Sequence, residues 1–415
     1  MAVVVVGAGV VGLACAWELT CAGAEVLVLD GDSVGAGVSR GNTGWVCPTI
    51  TAPLPAPGMV REGVRQLVGG GEAFVLRPRA DLTFARWLWT FWRSCSSTRY
   101  EAGTRSLLAL NRRTLELYDA YRNAGIAFEM HETGLVVAAL SHEGLEPYRR
   151  LSKLLQRFGY EGPLAELDAG AAAQVEPALD VASIACALHA GRDRYVRPEE
   201  LVASLAQALR DRGVGIREGF EVAALERRRR GWVLQSGQGD VHAEKVVVAA
   251  GLGSARLLRE HGIRMPLVGA RGYSVTVTGS GVPPVHALYL AEAKLGLSPY
   301  TDGVRVAGVF ELGARDATVP AGVGARLLKA AEPYLGGWQP DSGTALAAWA
   351  GLRPATADGL PLIGAVPGRE GLYVAAGHSM LGVTLAPATA AALAPLVLLE
   401  ERVPELAAFD PGRTP

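Results

Sequence analysis

The sequence predicts an α/β fold. A parallel sheet flanked by helices is interrupted by insertions that build a second, α+β part on a mainly antiparallel sheet. Two observations carry this expectation. Short apolar β-branched runs leading into glycine turns and helices occur in three separated blocks, as expected of strands buried on both faces. Between them lie a helix-rich stretch and a stretch of alternating polar and apolar residues.

The first block is the most informative. Val3, Val4, Val5 and Val6 precede Gly7-Ala8-Gly9-Val10-Val11-Gly12, and Leu13, Ala14, Ala16, Trp17 and Leu19 then recur at helical spacing. Gly23 ends that helix, and Val26-Leu27-Val28-Leu29 closes on Asp30. Strand, glycine loop, helix, strand and acid in this order make a Rossmann-type dinucleotide-binding unit. Gly7 permits the tight turn, Gly9 lets backbone approach a pyrophosphate, and Gly12 allows close packing of helix on strands. The helix N-terminus offers unpaired N–H groups to phosphate, and Asp30 can accept from ribose hydroxyls. The alternative is a glycine-rich turn in some other βαβ unit.

The second block starts near Tyr195-Val196-Arg197-Pro198. A helix carries Leu201, Leu205 and Leu209, with Gly213 after it, then a strand over Val214-Gly215-Ile216 and a hairpin around Arg230-Gly231. It closes on Val246-Val247-Val248-Ala249-Ala250-Gly251, another buried strand running into a glycine turn and helix. The third block holds Arg353-Pro354, a strand over 371–376, Gly377-His378 and a C-terminal helix. Periodic leucines (Leu107, Leu108, Leu110, Leu115, Leu117) make the first insertion helical; Tyr273–Thr278 and Val304–Ala307 make the second strand-like. The expected division is a discontinuous nucleotide domain of residues 1–79, 186–264 and 346–415, with 80–185 and 265–345 forming the substrate domain.

With 415 residues, two domains are the prior. Composition is that of a globular enzyme, 49% hydrophobic and 20% charged with net charge −1. The only basic run, Arg227–Arg230, reads as a solvated hairpin end rather than a nucleic-acid patch. Cys15, Cys21, Cys47, Cys95 and Cys186 form no CxxC pair or metal cluster, so reduced thiols in a cytoplasmic protein, and no metal site, are expected. The apolar N-terminus lacks the basic flank of a secretory signal. The apolar run from Leu385 to Leu399 falls short of the ~20 residues of a membrane span, and Pro387 and Pro395 interrupt it, which favours a buried helix. Trp87, Trp89, Phe91 and Trp92 near Phe84 suit a core helix or domain seam and leave open a peripheral membrane contact.

The chain resembles the FAD-dependent D-amino-acid oxidase superfamily, above all its bacterial D-amino-acid dehydrogenases and glycine oxidases. The marks are the glycine loop with Asp30; Ser39-Arg40-Gly41-Asn42-Thr43-Gly44; Arg271-Gly272-Tyr273-Ser274; Gly351-Leu352-Arg353-Pro354 through Asp358-Gly359; and Ala376-Gly377-His378 leading to Gly382-Val383-Thr384. The resemblance implies FAD, held without a covalent bond. The related sarcosine oxidases attach flavin through a cysteine near the Arg-Pro block, where this chain has Gly351 and Leu352. The implied cofactor contacts are Gly7, Gly9, Val10, Val11, Gly12, Asp30, Ser39, Asn42, Thr43, Gly44, Val222, Ala250, Gly251, Arg353, Gly377, His378, Gly382, Val383 and Thr384.

Such an enzyme oxidises an amine C–N bond by hydride transfer to flavin N5. The expected reaction takes a (D-)amino acid to its imino acid, with O2 or a quinone or electron-transfer partner as acceptor. The protein supplies orientation and charge stabilisation, and the positive end of the last helix can face the charge on reduced flavin. Arg353 is the candidate for the substrate carboxylate, Tyr273 and Tyr300 lend hydroxyls, and His378 is a flavin contact or positioning group. Amino-acid-oxidising relatives usually carry an arginine at the position of Pro299, which Ser298 and Tyr300 flank. Either Arg353 and Tyr300 take the carboxylate, or the substrate is a carboxylate-free or specialised amine such as an amino sugar. A catalytically inactive flavoprotein in electron transfer is the third reading.

Overall fold

The computed structural model describes residues 2–59, 74–77, 79, 81–263, 265–341, 347–401 and 403–413. The expected boundary residues 80, 264, 345 and 346 lie outside them.

One sheet has six strands, in the order Gly215–Arg217, Glu25–Leu29, Ala2–Val6, Lys245–Val248, Leu372–Ala376 and Leu362–Ala365. The first five run parallel; Leu362–Ala365 pairs antiparallel at the edge. Val3 and Val5 face a core shared with the helices Val10–Cys21, Pro198–Asp211 and Gly382–Leu399. Val4 and Val6 face the opposite core, built with the hairpin strands Ala224–Arg227 and Trp232–Gln235 and the helix Gly253–Arg259. Both faces are covered, which is why the strand has no polar alternation. All three sequence blocks thus converge on one doubly wound sheet.

The second sheet has nine strands. Its path is Trp349–Thr356, Leu267–Val277, Gly303–Leu312, Leu295–Tyr300, Ala287–Leu290, Leu135–Ala139, Cys186–Ala190 and Leu164–Asp168, with Phe74–Leu76 beside Gly303–Leu312. Only the pairs of Ala287–Leu290 with Leu135–Ala139 and of Gly303–Leu312 with Phe74–Leu76 are parallel. Phe74–Leu76, Cys186–Ala190 and Trp349–Thr356 come from ranges expected in the nucleotide part, and Leu135–Ala139 and Leu164–Asp168 from the stretch expected to be helical. Leu135–Ala139 is buried at every position. A run buried on both faces has no period that says which sheet it joins.

The aromatic helix, Leu82–Ser94, is capped by Asp81, whose side chain accepts from Phe84 N at 2.6 Å. It divides its aromatics: Trp87 and Phe91 are buried and stacked 5.3 Å apart, whereas Trp89 and Trp92 pair 4.8 Å apart at 60% and 52% exposure. The C-terminal helix runs through Pro387 and Pro395 and is long and apolar enough to cross a membrane, yet most of it is buried against the rest of the chain. All five cysteines are free.

Candidate functional site

The glycine loop opens onto a cavity of about 610 Å³, a volume typical of cofactor sites. Gly7 needs its glycine: φ is +114°, and a Cβ would stand 2.5 Å from the carbonyl oxygen of Ala249. Gly12 lets the helix close on the loop, since a Cβ there would lie 1.9 Å from Gly7 O. Gly9 differs. Its backbone is extended, and a Cβ would meet only Ser39 Oγ, at 3.4 Å, within the cavity. The space kept free by Gly9 is ligand space, as a pyrophosphate cradle requires.

Asp30 fastens the cradle. Its Oδ2 accepts from Ala8 N at 2.6 Å and its Oδ1 from Asp32 N at 2.9 Å, leaving further lone pairs for hydroxyl donors. Ser39 Oγ accepts from Val10 N at 3.2 Å. Of the expected cofactor contacts, Gly7, Gly9, Val10, Val11, Asp30, Ser39, Asn42, Val222, Ala250, Gly251, Gly377, His378, Gly382 and Val383 line the cavity. Two helix N-termini, at Val10 and Gly382, open onto it; Val10 N is taken by Ser39 Oγ, and the positive ends of both helices suit negative charge. None of the five cysteines lines it.

Gly12, Thr43, Gly44, Thr384 and Arg353 do not line the cavity; they hold its walls. Thr384 Oγ1 donates to Trp45 O at 2.7 Å, tying the C-terminal helix to the Trp45–Val46 strand. Gly44 abuts the Val196 carbonyl. Tyr300, expected to offer a hydroxyl to substrate, is buried, with its oxygen 2.8 Å from Thr43 O and 3.0 Å from Val196 O. Its one proton serves those carbonyls, so Tyr300 is a tie between loop and sheet, not a ligand group. Pattern reading missed Arg305, 5% exposed in the Gly303–Leu312 strand. Arg305 donates to Asn42 O at 2.9 Å, pairs with Glu199 and lies over the Tyr300 ring. A lone charge in an apolar strand was the available signal.

Arg353 sits at a distortion of the second sheet. Tyr273 pairs with Gly308 and Arg271 with Glu311, so one residue, Gly272, opposes two, Val309 and Phe310. Val309 takes φ of +64°, a strained conformation for a β-branched residue. Its carbonyl accepts from Arg353 Nη1 at 3.2 Å. Arg353's neighbours Leu352 and Pro354 line the large cavity, while Val309 lines a second cavity of about 320 Å³. Among the described residues no carboxylate pairs with Arg353. Burial lowers its guanidinium to about 10, still cationic at neutral pH.

Tyr273 lines the second cavity, not the first, and its cross-strand partner Ala350 lines the first. The Tyr273 hydroxyl donates to Glu311 Oε2 at 2.6 Å. Burial raises the Glu311 carboxyl, but hydrogen bonds from Arg271, Tyr273 and Arg77 outweigh it and hold the group at about 2. Glu311 was not anticipated from sequence.

His378 is buried beside the large cavity, Nε2 3.0 Å from Thr389 Oγ1. Burial pushes its pKa down to about 4, so the ring is neutral at pH 7 and a weak proton acceptor.

The model of the DAO family, FAD dependent oxidoreductase, matches residues 2–396. A D-amino acid dehydrogenase of Cereibacter sphaeroides is 31% identical over 420 residues, covering 99% of this chain and 94% of the relative. One from Xylella fastidiosa is 32% identical over 413 residues, covering 96% and 92%. Among solved structures, glycine oxidase from Geobacillus kaustophilus superposes with a TM-score of 0.77 at 26% identity, covering 99% of this chain and 98% of that one. The family match spans nearly the whole chain and these relatives align over nearly their full length, so the chain belongs to the DAO family of FAD-dependent oxidoreductases.

Proposed function

We propose that this enzyme oxidises the C–N bond of an amino acid, most directly a D-amino acid, to the imino acid. The observation that carries the reading is Arg353: a cation without a carboxylate partner among the described residues, whose chain neighbours Leu352 and Pro354 line the large cavity and whose partner Val309 lines the second. Such a group favours an anionic ligand, and a substrate carboxylate supplies one in a bidentate geometry. Bound FAD supplies the hydride acceptor. The chain's own residues do the rest: Arg353 anchors the carboxylate, neutral His378 shapes the wall of the FAD site, and the N-terminus of Gly382–Leu399 offers its positive end to negative charge. FAD is held without a covalent link, in keeping with a cavity that no cysteine lines. The six-stranded sheet with its helices forms the nucleotide part and the nine-stranded sheet the substrate part.

A carboxylate-free amine is the second reading, supported by Pro299 at the position where amino-acid-oxidising relatives carry arginine and by the committed hydroxyl of Tyr300. The acceptor is O2 or a quinone-type partner. The exposed Trp89 and Trp92, with exposed Arg86 and Arg93 on the same helix, support a peripheral contact of a cytoplasmic enzyme with a membrane surface.

The test is an anaerobic screen for flavin bleaching with D- and L-amino acids, glycine and carboxylate-free amines. Bleaching by D-amino acids is expected. Bleaching by amines alone moves the assignment to the second reading, and no bleaching by any amine or amino acid rejects both. Re-oxidation by O2 against a quinone then identifies the acceptor.

A further inference from the structure

A third cavity, of about 420 Å³, lies away from the glycine loop. It is lined by Arg77, Arg79, Arg271, Gly313, Ala314, Arg315 and Asp316. Two of its four guanidinium groups are neutralised. Arg271 bridges Glu311 and Asp316, at 2.7 Å each, and Arg77 pairs with Glu311. The other two are not comparably matched. Arg315 has Asp81 at 4.0 Å, the outer limit of an ion pair. Arg79 lies over the Phe84 ring at 5.6 Å, and its Nε is buried without a hydrogen-bond partner among the described residues. Burial and then the like charge of Arg315 lower the Arg79 guanidinium from its ordinary range, and the smaller pull of the Asp81 carboxylate does not offset them. A buried donor without an acceptor is costly, and two like charges around one void add repulsion.

We infer that this cavity is an oxyanion site, which takes a phosphate or phosphate-bearing ligand between Arg79 and Arg315. A tetrahedral oxyanion supplies the acceptor that Arg79 Nε lacks and the negative charge that separates the two cations. Arg271 and Arg77, held by Glu311, form the wall behind it. The ligand is a soluble phosphate compound or the phosphate of a lipid headgroup; the chemistry recognised is the same.

The test uses the FAD-loaded enzyme at low ionic strength, titrated calorimetrically with inorganic phosphate. In parallel, it is co-sedimented with vesicles of phosphatidylglycerol or of phosphatidylcholine. Arg79→Ala and Arg315→Ala are each expected to weaken binding by about tenfold or more, as loss of a charge-assisted contact should. Arg315 is 70% exposed in its side chain, so its replacement leaves the fold intact and tests the site even where Arg79→Ala does not fold. Phosphate binding lost in the variants identifies a soluble ligand. Binding only to phosphatidylglycerol vesicles, lost in the same variants, identifies the lipid source. No binding of either probe, or binding undiminished in the variants that fold, overturns the inference.

Discussion

Arg353 lies directly over Gly272: a Cβ on Gly272 would stand 1.8 Å from Arg353 Nη1 and 2.2 Å from Cζ. The glycine is therefore the seat of the guanidinium. Across the bulge, the Val309 carbonyl at 3.2 Å fixes its direction. Three residues from three strands thus aim one cation.

This seat yields a paired prediction. Arg353→Leu should keep FAD but lose about 2–5 kcal/mol of transition-state binding for a carboxylate substrate, roughly 30-fold or more in kcat/KM. Arg353→Lys should recover only part, because it lacks the planar fork. Gly272→Ala should push the flexible guanidinium aside at little cost to the fold and lose about tenfold. The double variant Gly272→Ala/Arg353→Leu should be no worse than Arg353→Leu alone, since both remove one interaction. Unchanged turnover in Arg353→Leu with full flavin removes the carboxylate anchor.

The glycines of the loop separate binding from folding. Gly9→Val should fold and lose FAD, because its side chain enters the cavity and meets only Ser39 Oγ. Gly12→Val should lose the fold, because its Cβ collides with the Gly7 carbonyl. Flavin absorbance and thermal unfolding of the two proteins check this; full flavin content in a folded Gly9→Val protein rejects the cradle.

Which parts were legible in the sequence follows from period and from distance. Val3–Val6, the glycine loop and Asp30 are local, and their order alone specifies a strand, a turn and a helix N-terminus. The convergence of Val246-Val247-Val248 and Leu372–Ala376 on the sheet of Ala2–Val6 was legible because each is a short, mainly apolar run that leads into a glycine turn. The brace of Arg305 on Asn42 and Glu199 was not, because it joins residues remote in sequence that share no periodicity. The Val309 bulge was hidden for a related reason: nothing in Gly308-Val309-Phe310 marks an extra residue until its partner strand is known. Tyr273 and Tyr300 resemble each other in sequence as buried hydroxyls on strands. Only three-dimensional partners, Glu311 for one and two backbone carbonyls for the other, tell them apart.

Tyr300→Phe tests that distinction. Loss of one buried hydrogen bond should cost about 0.5–1.5 kcal/mol of stability, read by chemical denaturation. KM and kcat should stay within about twofold of the parent protein. A large rise in KM with stability unchanged would return Tyr300 to the substrate.

The last prediction concerns acid. His378 has a folded pKa of about 4 against an ordinary 6.5, because burial disfavours the charged ring. Between these values the unfolded imidazole binds a proton that the folded one does not, so the contribution of His378 to stability rises with pH across the window and falls on acidification from pH 6.5 towards 4. The full effect, reached only below pH 4, is about 3 kcal/mol at most. Glu311, held at about 2, adds a loss in the same direction but lower, as pH falls from about 4.5 towards 2. Asp193, buried and pushed up to about 7, has the opposite slope between pH 3.8 and 7, and the buried His189 and His261 share the sign of His378. The readout is therefore the difference in denaturation midpoint between the parent protein and a His378 variant at pH 7, 6, 5 and 4.5. His378→Gln, whose amide can still reach Thr389 Oγ1, should lower the slope of stability against pH between 6.5 and 4.5 relative to the parent protein, while the loss below pH 4.5 persists. An unaltered slope between pH 6.5 and 4.5 in this variant would assign the titration to another group and leave His378 without a role in it.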